Sequence, residues 1–121
     1  MADTNPGPAV TSTGSLVATI SNVREAGVFA LVLSPAAVAA ATSAEQTFAL
    51  DGVGPTDFVS VNKPTAQAGI GIVGARSAGA NLIGITFMNA TAAAVTPTAG
   101  ETYLVKVEKL VGQTALTSFP Y

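Results

Sequence analysis

Residues 101–111 read ETYLVKVEKLV, and their character alternates: Tyr103, Val105 and Val107 fall on one side of an extended chain, Lys106 and Glu108 on the other. Successive side chains of a strand point to opposite faces, so this alternation predicts a half-buried β-strand rather than a helix. Residues 82–88, LIGITFM, repeat the pattern, with Ile83, Ile85 and Phe87 on one face and Gly84 and Thr86 on the other. Residues 57–63, DFVSVNK, do so again, with Val59 and Val61 opposed to Phe58, Ser60 and Asn62. Pro64 ends that run, because proline has no N–H to give to a sheet ladder.

Outward from these three runs the chain keeps the same rhythm. Apolar stretches of strand length occupy residues 16–20, 28–33, 46–50 and 70–76. Between them lie turn-like stretches, over residues 22–27 and through Asp51, Gly52, Gly54 and Pro55. Residues 35–44 are Ala-rich and are read either as a short helix, with Ser34 as cap and Pro35 in its first turn, or as an extended connector. No βαβ alternation is present. The expected fold is all-β, a small antiparallel β-sandwich or β-barrel with extended N- and C-terminal arms. Its division is an arm over residues 1–15, a sandwich domain over 16–111 and a second arm over 112–121. The first arm is rich in Pro, Gly, Ser and Thr and cannot bury enough apolar area to fold alone. The second carries Phe119 and Tyr121 as anchors. Each arm is expected to be held either by a neighbouring chain or by the domain itself.

Composition narrows the function. Charged residues make up 10% of the chain and hydrophobic ones 49%, with no His, Cys or Trp. Ordinary soluble domains carry roughly 25% charged residues, so a surface this poor in charge is expected to be covered by other chains. The net charge is -2, and the five basic residues, Arg24, Lys63, Arg76, Lys106 and Lys109, form no phosphate-reading cluster. Nucleic acid is therefore not an expected partner. Residues 26–44 are uncharged and have the length of a membrane span. Pro35 interrupts them, Ala and Gly dilute their apolarity, Arg24 and Glu25 flank them, and a signal peptide would start nearer Met1. The expectation is a core strand and connector, with no membrane partner.

The side chains that carry chemistry are scarce. Lacking His and Cys, a hydrolase would need a Ser–Lys, paired-carboxylate or metal–carboxylate site. Ser60 and Lys63 fall on opposite faces of one strand. Asp51 and Asp57 bracket a Gly/Pro turn, where hydrogen bonding to their own backbone is the expected role; calcium needs six or more oxygens and the segment supplies few. Residues 69–74, GIGIVG, miss the GxGxxG spacing and lack the Lys-Ser/Thr of a phosphate loop, so they are read as a strand whose small residues allow close packing. Arg76 is left as an ion-pair partner or an interface residue. The chain is expected not to be an enzyme, with no catalytic, cofactor-binding or metal site and no cofactor.

Residues 44–107 contain, in order, EQTF at 45–48, DFVSVNKPT at 57–65, GIVGAR at 71–76, NLIGITFMNAT at 81–91, TP at 96–97 and ETYLV at 101–105. This series resembles a short β-rich module that recurs in structural proteins of tailed bacteriophages. It covers about half the chain, and several pieces in order at proper spacing are more specific than any one motif. Asn62 and Pro64 would finish a strand, Asn81 begin one and Asn89 end one. At Ser77-Ala78-Gly79-Ala80 the chain departs from the module, which predicts a looser hairpin turn.

The resemblance implies a virion protein and no catalytic residues. Such modules occur on head decoration proteins, fibres and tail appendages. No heptads of a fibre shaft are visible, and a short chain with two arms fits a capsid decoration (cement) protein on the capsid surface. Its partners would be the major capsid protein, clamped by the arms, and itself, as a homotrimer in which the low charge suits buried contacts. The alternative is a fibre or tail-appendage module binding a host surface or carbohydrate. That reading requires an exposed aromatic platform, whereas the aromatics are Phe29, Phe48, Phe58, Phe87, Phe119, Tyr103 and Tyr121, most of them in strand patterns that read as buried.

Overall fold

A computed structural model describes residues 23–110, which form six strands and, among the described residues, no helix. The strands are β1 (Val23–Leu33), β2 (Thr42–Ala49), β3 (Phe58–Asn62), β4 (Ile70–Gly79), β5 (Leu82–Asn89) and β6 (Glu101–Leu110). They build two antiparallel three-stranded sheets, in the orders β1-β6-β3 and β2-β5-β4. The fold is all-β and sandwich-like, as the alternating runs predict. Its two central strands, β6 and β5, are the two runs with the cleanest alternation.

The reason is burial on one face only. Tyr103 and Val105 on β6, and Ile83, Ile85 and Phe87 on β5, are fully buried between the sheets. Each contributes about 1.5–3 kcal/mol on removal from water. Phe87 and Tyr103 meet edge to face across the sandwich, with centroids 6.5 Å apart and planes at 80°. Val38, Leu50 and Val53, from the connections, close the core. Asn89, with Asp57 one of two buried polar residues among the described residues, is fully bonded: its Nδ2 donates to the carbonyls of Val38 (3.0 Å) and Ala93 (2.8 Å), and its Oδ1 accepts from Thr91 N (2.9 Å) and Oγ1 (2.7 Å). This tie ends β5 and holds the loop beyond it.

Several boundaries differ from the sequence reading. Of the stretch 22–27, residues 23–27 form no turn: β1 already runs from Val23, paired with β6 from Leu110 onward, and a bulge between Val23 and Glu25 takes up the irregularity. The sheet partner overrides the weak local turn signal there. Residues 35–44 form no helix. Val38 bridges to Val95 in both directions, at 2.9 and 3.0 Å, and Gln46 exchanges two hydrogen bonds with the Ala36 backbone. β2 begins at Thr42 rather than at residue 46, because Thr42 to Ala49 finds a continuous partner in β5. The hairpin after β4 is tight, with Ala80 and Asn81 alone between the paired Gly79 and Leu82. A bulge between Ser77 and Gly79 absorbs the extra residue, and Asn81 adopts φ 60°, which asparagine tolerates. The expected strand at 16–20, residue 111 and both arms lie outside the described residues. No helix among the described residues is long and apolar enough to cross a membrane.

Candidate interaction surface

Since Tyr103, Val105 and Val107 point inward, Thr102, Leu104, Lys106 and Glu108 point out of the β1-β6-β3 sheet. The register carries this parity to the flanking strands: Val28 lies opposite Lys106, Ala30 opposite Leu104, Val32 opposite Thr102 and Phe58 opposite Glu108. The result is an outer face on which Val32 is 70% exposed, Val28 65%, Phe58 62% and Leu104 45%. A half-buried sheet normally turns polar residues to water; here one Lys106–Glu108 pair at 3.6 Å is the only ion pair on that face among the described residues. A shallow depression lined by Val28, Ser60, Asn62, Leu104 and Lys106 marks its middle.

The outer face of the other sheet is built differently. Arg76 on β4 donates from Nε and Nη2 to the two carboxylate oxygens of Glu45 on β2, at 2.7 and 2.8 Å. The pair spans three strands by crossing β5 at Gly84, where any Cβ would run into the Glu45 carboxylate. The Arg76 hydrogen bonds hold the Glu45 carboxyl below its ordinary range. Thr47 and Thr86 extend this polar surface, with Met88, Val73 and Leu82 as its apolar members.

Polar groups at the sandwich ends serve the fold. Lys109 donates to the buried Asp57 carboxylate at 2.5 Å and to the Gly52 carbonyl at 2.6 Å, and Asp57 accepts from Gly54 N at 2.8 Å. Lys63 reaches Glu101 at 2.9 Å, and the Thr65 hydroxyl donates to the same carboxylate. The hydrogen bonds from Thr65 and then Lys63 lower the Glu101 pKa. Burial, then the nearby Glu101 charge, pushes the Tyr103 phenol above its usual 10.0, and its hydroxyl has no hydrogen-bond partner among the described residues.

The residues singled out from sequence separate accordingly. Ser60 faces out while Lys63 turns to Glu101 and Thr65, so they do not meet as nucleophile and base. Asp57 bonds its turn as expected and is also neutralised by Lys109, a long-range partner that sequence reasoning missed. No group of three acidic, His or Cys side chains suitable for a metal occurs among the described residues. In GIGIVG, close packing holds only at Gly69, which has φ 77° and sits against the Thr91 methyl; Gly71 and Gly74 face open space. That corrects the close-packing expectation for the strand. Arg76 is an ion-pair residue. Of the aromatics, Phe87 and Tyr103 are buried, but Phe58 and Phe29 are exposed, contrary to the pattern. They stand on different strands and opposite faces of their sheet and form no platform. The chain was compared with family models, curated proteins and solved structures, and nothing matches it.

Proposed function

We propose that this chain is a structural virion protein of a tailed bacteriophage, a decoration (cement) protein on the capsid surface. In this reading it contacts the major capsid protein and further copies of itself in a homotrimer, and it does no chemistry. The observation that carries it is the outer face of β1-β6-β3, where Val28, Val32, Leu104 and Phe58 stand in water. Exposed apolar side chains gathered on one sheet face favour association. The ordered series of motifs from EQTF to ETYLV supplies the phage context. The low charge fits a surface that functions covered.

The test is imaging of particles made from the genome that encodes the chain, with and without its coding sequence. The expected result is trimeric density on the head that disappears in the deletion, together with heads that rupture at lower temperature. Density on a tail appendage would replace this reading with the fibre alternative, and density on neither would overturn both. Native mass spectrometry of the isolated chain supplements this, with a trimer expected.

A further inference from the structure

Asp57 and Lys109 stand opposite each other, one step beyond the paired Phe58 and Glu108 at the end of the β3–β6 ladder. Alternation puts both on the inner side of the sheet, in line with Val59 and Val107 of the core. The Asp57 side chain is 1% exposed and that of Lys109 19%. The Lys109 Nζ lies 2.5 Å from the Asp57 Oδ2. The carboxyl carbon, one bond further on, is therefore less than about 3.8 Å from the amine nitrogen. Groups held at about 3–3.5 Å are placed to react with each other. Each partner is also fixed by a second bond to the same turn: Oδ2 accepts from Gly54 N at 2.8 Å, and Nζ donates to the Gly52 carbonyl at 2.6 Å. An amine and a carboxyl are thus pressed together, pinned and largely shut away from water.

We propose that Lys109 and Asp57 condense in the folded chain into an amide between Nζ and Cγ. Two buried charges cost more than a buried neutral pair, and a proton passes across the contact from the ammonium to Oδ2. The neutral amine then adds to Cγ. A second proton passes from nitrogen to Oδ2, the Cγ–Oδ2 bond breaks, and Oδ2 leaves as water. The third proton stays on the amide nitrogen, and Oδ1 becomes the amide oxygen. No oxidant, metal or cofactor enters this balance. The Gly54 N–H and the Gly52 carbonyl act as positioning groups, one for the carboxyl and one for the amine. Lys63 and Glu101 are not a second case: the hydrogen bonds from Thr65 and Lys63 keep the Glu101 carboxyl ionised, and a carboxylate resists attack by an amine. The bond is made once, on the chain itself, and turns over no substrate. It replaces the last contact of the β3–β6 ladder by a covalent rung and closes a loop between positions 52 apart in the chain. It does not depend on the virion reading.

Mass spectrometry of the full-length protein, purified folded at neutral pH, tests this directly. The expected mass, in the majority of molecules, is that of the sequence less one water. Trypsin should leave Lys109 uncut and release the peptide 25–76, which contains Asp57, joined to the peptide 107–121. Lys109→Arg keeps a cation at the end of β6 but presents no amine, and it should return the full mass. Wild-type protein at full mass, with Lys109 cut by trypsin, would overturn the proposal. So would a loss of water that persists in Lys109→Arg, since that would place the dehydration elsewhere, as in a succinimide at Asp51-Gly52. Hydroxylamine makes the same distinction within the wild type: it opens a succinimide, whereas the expected cross-link survives it.

Discussion

The two outer faces of the sandwich have been given opposite treatments by the same chain. On β2-β5-β4 a glycine is set in the central strand so that an arginine and a glutamate from the two flanking strands can close over it. On β1-β6-β3 the corresponding middle is Leu104, with Val28 and Val32 to one side and Phe58 near the far corner, left to water. Overall composition is shared by both faces, so it cannot account for the difference. Placement does: among the described residues, Arg76 and Glu45 close over the middle of one face, whereas on the other Lys106 and Glu108 pair with each other and leave Leu104, Val28 and Val32 uncovered. This contrast is why the proposed association site lies on the second face.

The largest effect should come from breaking the contrast at its apolar side. Val28→Asp with Leu104→Asp puts two carboxylates onto that face without touching the core. Binding to particles should fall by more than about tenfold, the weight of burying even one unpaired charge in an interface, while the melting temperature of the isolated chain changes little. Thr47→Asp on the opposite face should leave binding intact. Quantifying the bound chain per particle decides it, and equal losses from both faces would remove the distinction.

Next in size is Gly84→Val. Its side chain would occupy the space of the Glu45 carboxylate and force the ion pair apart, at about 1–3 kcal/mol of overpacking and displacement. Chemical denaturation should show it as a lower midpoint with an unchanged slope. Replacing Arg76 by Gln should cost less, because an exposed ion pair is screened by water.

The smallest effect is on pH. Both Glu45 and Glu101 have folded pKa values below 4.5. A carboxyl that is more acidic when folded stabilises above its unfolded pKa, and that stabilisation is lost as pH falls through the depressed folded value. Melting temperature should therefore hold steady from neutrality down to about 4.5 and decline below it. In Arg76→Gln the decline should be shallower, as the Glu45 share is absent. A pH series of thermal melts checks both slopes.

Much of this molecule is legible in its sequence, and the part that is not has a common cause. β5 and β6 are central strands with one face buried, so period-two alternation in Leu82–Asn89 and Glu101–Leu110 spells out their place. β1 and β2 are flanking strands whose starts are set by partners: Ala26 and Gly27 look like turn residues until β6 is beside them, and Thr42 to Ala44 look like connector until β5 is. The connection at 34–41 follows from a bridge to Val95, a residue more than fifty positions downstream of it. The candidate surface was half legible. Alternation in β6 shows that Leu104 and Lys106 point away from the core, but Phe58 and Val28 join them only through the register, and no local pattern says that the remaining charges have gone elsewhere. Lys109 falls on the inner side by simple alternation in the sequence, where an apolar residue is expected, and only the fold shows the turn at 51–57 giving it Asp57 and the Gly52 carbonyl as partners.

The pairing of Val23 with Leu110 has a mechanical consequence. The chain enters and leaves the described domain at one corner, on neighbouring antiparallel strands. Tension applied through both tails would load the β1–β6 hydrogen bonds one after another, opening them like a zipper at low force. Tension between one tail and the far end of the same sheet would load them all at once, in shear, and would be resisted much more strongly. An assembly that has to withstand pressure is therefore better served by gripping one tail and the sheet face than by pulling on the two tails together.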